Sequence, residues 1–170
     1  MTEHELTRRD ALAALSAAGV GALAGCATPT ESPGDHERDT LVAVARTVYP
    51  SGVSGVEGFV TTYVDGRLED RPERASGVVE AVERLDAHTE AWYNDPFVAL
   101  DPADRDGALR SMGVDRVDPD PDGDPAARVR FYLVNELLYG LFTSPTGGEL
   151  VGLENPQGYP GGTDSYRRGP

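Results

Sequence analysis

The sequence predicts an all-α fold, a small bundle of about five helices that runs into an irregular, Gly/Pro-rich C-terminal arm. Three observations carry that expectation. Apolar residues between positions 37 and 144 recur at three- and four-residue steps. Pro, Gly and Asp/Asn residues punctuate those runs where helices begin and end. No stretch alternates strongly enough to require a sheet.

Taken in order, the first body helix is read from Glu37, with Leu41, Val44, Ala45, Val48 and Tyr49 on one face and Pro50 ending the run. A second is expected from Ser54, because Ser54-Gly-Val-Glu57 has capping-box spacing; its buried face is Phe59, Val60, Tyr63 and Val64, extending to Leu68. The third spans Pro72 to Tyr93 with Val78, Val82, Leu85 and Trp92 inward, and stops near Asn94-Asp95-Pro96. Asp101-Pro102 reads as N-cap and N1 proline of a short helix carrying Leu109 and Met112. Asp124-Pro125 repeats that signal for the most apolar helix, Val129, Tyr132, Leu133, Leu137, Leu138 and Leu141, the expected centre of the core.

Residues 145–170 hold seven glycines and four prolines, so they cannot be helical or stranded throughout. They also carry Leu150, Val151, Leu153, Tyr159 and Tyr166, which makes the arm less polar than a disordered tail. Two compatible readings stand: a coil packed over its own helices, or an arm that orders on a partner.

Ahead of the body, Arg8 and Arg9 precede an apolar run from Ala11 to Leu23, the order of an export signal of the twin-arginine (Tat) type, which carries folded cargo. At 13 residues the run is shorter than the ~20 needed to span a bilayer as a helix. Leu23-Ala24-Gly25-Cys26 resembles a lipobox, with Cys26 as the lipid-bearing first residue of the mature chain. The division is therefore 1–25 signal, 26–36 disordered tether rich in Pro, Gly, Ser and Thr, 37–144 helical domain and 145–170 arm. The expected location is the outer face of the cytoplasmic membrane, held there through Cys26.

Composition narrows the function classes. Net charge is -14 and lysine is absent. Without residues 1–25, 26 acids face 13 arginines, which predicts a protein of haloarchaeal type, hydrated in strong salt. The same balance excludes nucleic acid, because Arg67, Arg71 and Arg74 alternate with Glu69, Asp70 and Glu73 and leave no basic patch. Cys26 is the sole cysteine, so neither a disulfide nor a cysteine-ligated metal or haem is expected. Asp118-Pro-Asp120-Pro-Asp122-Gly123 opens like a calcium loop but has Val129 at the twelfth position, and reads better as a solvated acidic turn. Gly19-Val-Gly21-Ala-Leu-Ala24 lies in the leader with no strand before it and is no dinucleotide fingerprint. His36 falls in the tether and His88 on the third helix, neither within a recognisable motif. Glu136 is the one carboxylate expected to be buried, paired with an arginine such as Arg46. No catalytic or metal-ligating constellation is expected.

The C-terminal Thr143-Ser-Pro-Thr-Gly147-Gly148, followed by Glu154-Asn155-Pro156-Gln-Gly158-Tyr159-Pro160-Gly161-Gly162, behind a twin-arginine leader and a helical body, resembles the gluconate 2-dehydrogenase subunit 3 family over roughly residues 37–165. Its most specific part is Gly158 to Gly161; the stretch between Gly148 and Tyr159 is shorter than the family's. The resemblance implies a non-catalytic accessory, or gamma, subunit. It would bind, stabilise and support the export of a separate flavoprotein dehydrogenase of the glucose-methanol-choline type. FAD would sit in that partner, none in this chain, and electrons would pass to a cytochrome c or another acceptor. Asn155, Tyr159, Pro160 and Gly161 are then the expected interface, a rigid turn presenting an aromatic ring. The alternative is a stand-alone exported lipoprotein that binds a small ligand or an envelope partner.

Overall fold

A computed structural model describes residues 4–17 and 33–152. The fold is all-α, as the periodicity requires, with one two-residue parallel bridge between β1 (His4–Glu5) and β2 (Val53–Ser54).

Helix α2 (Asp35–Val48) starts two residues before the expected boundary, because the Glu37 carboxylate accepts the Gly34 N–H at 2.6 Å and closes the first turn. His36 therefore belongs to the body and not to a tether. At the other end Tyr49 turns its ring into the core, where its hydroxyl donates to the Leu137 carbonyl at 2.8 Å. Helix α3 (Val56–Leu68) is capped by Gly55 in the left-handed region, φ 70°. Ser54 is drawn into the bridge instead of capping, and Glu57 reaches back to Arg46 at 2.9 Å, so the expected capping box does not form.

Helix α4 spans Pro72–Tyr93, with the boundaries the sequence predicts, and Asn94 ends it in the left-handed region at φ 62°. Val78, Val82 and Leu85 are buried, but Trp92 is 74% exposed. The helix outruns the core beyond buried Thr89, and it is Tyr93 that turns back onto the cluster. A 3-10 turn, Phe97–Ala99, then buries Phe97, and α5 (Pro102–Met112) follows its Asp101-Pro102 start with Leu109 buried and Met112 half-buried.

The last long helix runs without break through α6 (Pro125–Val129), a π-helical stretch (Arg130–Asn135) and α7 (Glu136–Thr143). Asp124 caps it, its Oδ1 accepting the Ala127 N–H at 2.9 Å. Val129, Leu133, Leu137 and Leu141 are all fully buried at strict four-residue spacing. In an unbroken α-helix each such step drifts by about 40° off the buried line. The wider π turns rotate the row back, which explains why the irregularity sits inside this helix.

Two helices stand where the sequence reading expects none in the body. Pro145–Leu150 forms α8, because the Ser144 hydroxyl accepts the Gly147 N–H at 3.0 Å and Pro145 occupies the first helical position. The arm is thus helical at its start. Arg8–Ala17 forms α1, which packs on α3, α7 and α8 with Leu6, Ala11, Ala14 and Leu15 buried. No helix among the described residues is long and apolar enough to cross a membrane.

Candidate functional site

Glu136 opens α7 immediately after the π stretch and points into the seam between α3 and α4. Its carboxylate is 8% exposed and receives three donors. The Tyr63 hydroxyl and Arg67 Nε both donate to Oε1 at 2.7 Å, and an Arg74 guanidinium nitrogen donates to Oε2 at 2.7 Å. A buried carboxylate on its own would be costly, so this saturation is what makes its position tenable. Burial first, then the neighbouring Glu136 charge, pushes the Tyr63 hydroxyl far above its ordinary range. Arg67 is held above its usual value, because the hydrogen bond and charge of Glu136 outweigh the opposing effect of burial. The buried carboxylate of the sequence reading is confirmed, but its partners are Arg67 and Arg74; Arg46 pairs with Glu57 on the surface.

The same arginines hold an aromatic surface from beneath. Phe131, Asn135, Tyr139 and Phe142 fall at four-, four- and three-residue steps along the outward side of the last long helix. Phe131 is half-buried, whereas Tyr139 is 43% and Phe142 38% exposed. Arg67 lies 5.8 Å from the Tyr139 ring centroid and Arg74 5.5 Å from that of Phe131. On another side of the same helix, Arg128 sits 5.4 Å from the Tyr132 ring and pairs with Glu80 of α4 at 2.6 Å. Two glycines permit this packing. A Cβ at Gly140 would stand 2.9 Å from the Tyr63 ring, and one at Gly77 would overlap Tyr132.

Chemically this arrangement orients and presents. The carboxylate is neutralised by two cations, and the cavity beside it, bounded by Val64, Val78 and Leu137, measures about 10 Å³, too small for an organic ligand. A shallow surface cavity of about 510 Å³ lies elsewhere, lined by Arg84, His88, Met112 and Asp124 among others. There His88 Nε2 meets the Ser111 hydroxyl at 2.9 Å, and burial lowers the imidazole. Ser111 itself donates to the Ala108 carbonyl, so the pair lacks the geometry of an activated nucleophile. Among the described residues no group of three His, Cys, Asp or Glu side chains is placed to hold a metal ion. In the acidic turn, Asp120 Oδ1 accepts the Asp122 N–H at 2.9 Å.

Of the residues singled out from sequence, Arg8 and Arg9 lie exposed in the first turn of α1. Cys26, Asn155, Tyr159, Pro160 and Gly161 lie outside the described residues. The aromatic ridge was missed by sequence reasoning, which weighed Tyr132 and Leu138 for the core alone. Arg67 was missed differently: it continues the Phe59, Val60, Tyr63, Val64 face one turn on, the signal that it points inward.

A family model described as gluconate 2-dehydrogenase subunit 3 matches residues 35–161. No curated protein and no solved structure matches the chain.

Proposed function

The chain belongs to the gluconate 2-dehydrogenase subunit 3 family, and from that premise we propose that it docks on the catalytic flavoprotein through the aromatic–arginine ridge of its last long helix. Membership makes it an accessory subunit of a gluconate 2-dehydrogenase complex. The finer assignment is a non-catalytic subunit that binds and stabilises an FAD-dependent dehydrogenase of the glucose-methanol-choline type, travels with it by the Tat route and anchors it through Cys26. Electrons pass from the flavin to a cytochrome c or another acceptor outside this chain.

The observation that carries the reading is the ridge itself. Tyr139 and Phe142 are large and exposed, and Arg67 at the Tyr139 ring and Arg74 at the Phe131 ring are both held by Glu136. Partner surfaces concentrate binding energy in such Tyr, Phe and Arg clusters, where little side-chain entropy remains to be lost. Placing FAD in the partner has its own support. A dinucleotide cradle needs a strand feeding a Gly-rich turn and a helix, and the strands of the described residues are two residues long. The segment Asn155 to Gly161 follows α8 in the chain and is proposed as a second part of the same interface.

The test is co-purification of the tagged full-length chain with the flavoprotein, read by mass spectrometry and a flavin absorbance spectrum. Tyr139→Ala combined with Phe142→Ala should lose the flavoprotein while helical circular dichroism is retained. Undiminished recovery would remove the ridge from the interface, and absence of any flavoprotein with the unmutated chain would favour a stand-alone lipoprotein.

A further inference from the structure

Residues 4–17 sit on the body as a ligand sits in a groove. Thr7 and Asp10 cap each other, the Asp10 carboxylate accepting from the Thr7 N–H at 2.9 Å and hydroxyl at 2.5 Å. The other carboxylate oxygen accepts the Thr146 N–H at the start of α8, 3.0 Å away. Leu6 is pinned by its N–H to the Ser54 carbonyl at 2.9 Å, and Leu15 drops over Gly66, where an added Cβ would lie 2.5 Å from Leu15 Cδ1. Ala11 and Ala14 let the helix lie close against its neighbours.

Leu6, Ala11, Ala14 and Leu15 join the same apolar cluster as Phe59, Tyr63, Leu133 and Leu137, but only Leu6 and Leu15 bring large buried side chains to it from this segment. The family match also begins at residue 35, with α2, and leaves α1 outside the shared unit.

We propose that residues 4–17 are a self-docked, releasable element: the groove between α3, α7 and α8 binds the chain's own twin-arginine helix, and release from that groove governs when the segment is available to a receptor. The consequence for export rests on the Tat reading above; the docking does not. A folded body supplies the groove and an unfolded one does not, which ties the state of the segment to the state of the cargo.

Limited trypsin digestion of the full-length chain tests the docking, because cleavage after Arg8 and Arg9 requires the helix to open locally. In the unmutated protein cleavage there should be at least ~tenfold slower than in a free peptide of residues 4–17. Gly66→Val, which fills the Leu15 pit from the body side, and Asp10→Ala should each raise the rate about tenfold or more, with amide-exchange protection of α3, α4 and α7 unchanged. Gly58→Val is the control, since open space surrounds its Cβ on the same helix. Peptide-like cleavage of the unmutated chain, or variants indistinguishable from it, would overturn the docking. So would loss of body protection in the variants, which would make α1 part of the core. Export is scored separately with Arg8→Lys/Arg9→Lys: normal export of that variant defeats the Tat reading and leaves the docking result standing.

Discussion

Replacing Glu136 by Gln should be among the most damaging single substitutions in the body, and the structure sets its size. The change removes the charge that pairs with both Arg67, 10% exposed, and Arg74, 25% exposed, and leaves an amide N–H2 directed at one of the donors. Breaking a buried pair by deleting one partner typically costs about 3–5 kcal/mol, because the surviving charge stays buried without compensation. Arg74 is near enough to solvent to recover part of its hydration, so the lower end, about 3 kcal/mol, is expected. Equilibrium unfolding in urea at constant high salt measures this, with the slope unchanged if the compact state is retained. Arg67→Met in the same background should return a large part of the loss, since the remaining arginine is the more exposed one. A cost below about 1 kcal/mol for Glu136→Gln, or no coupling to Arg67→Met, would refute the claim that this network locks α3, α4 and α7 together.

Further expectations concern pH, capping and salt. His36 donates to Asp86 across 2.6 Å, and that hydrogen bond raises its pKa above 6.5. Its contribution is therefore complete below pH 6.5 and is lost as pH rises through the raised value; with the imidazole about half exposed the effect stays under roughly 1 kcal/mol, and His36→Gln should flatten it in urea titrations across that window. Asp124→Ala removes the cap that accepts the Ala127 N–H and should cost about 1 kcal/mol by the same assay, whereas Asp101→Ala, whose side chain makes no capping bond, should cost less. Dialysis into low salt lengthens the Debye length from ~3 Å at 1 M to ~30 Å at 0.01 M, and a chain of net charge -14 should lose helical circular dichroism and regain it in potassium chloride; indifference to salt would contradict the haloarchaeal reading.

What the sequence made legible divides by range. Helix α4 is readable to the residue, because Pro72 and Asn94 act within one turn of the boundaries they set. The start at Asp124-Pro125 is readable for the same reason. Tertiary competition defeats the same logic at Ser54: its local capping signal is sound, yet pairing with residues 4–5 claims the backbone there. Glu136 shows the limit most clearly. A carboxylate in an apolar run announces burial, but its partners come from 62 and 69 residues away, a distance at which spacing carries no information about pairing. The π stretch was equally invisible, although the strict four-residue row of Val129, Leu133, Leu137 and Leu141 implies under-winding once the row is known to be buried throughout. Nor did periodicity alone show that residues 8–17 pack on the body: the small residues Ala11 and Ala14 are as suited to an export signal as to a close helix contact.

If this chain binds a flavoprotein through the ridge over Arg67 and Arg74, as proposed, the affinity of the two proteins for each other must depend on that ridge. Purified full-length chain titrated onto the flavoprotein at high salt should bind, and Tyr139→Ala should weaken the complex by about 2 kcal/mol, roughly 30-fold in Kd, if the ring is a buried anchor. Trp92→Ala, which removes the more exposed aromatic of α4, should leave the affinity within about twofold. Equal affinities for the unmutated chain and the Tyr139→Ala variant, or a larger loss from Trp92→Ala, would place the interface elsewhere.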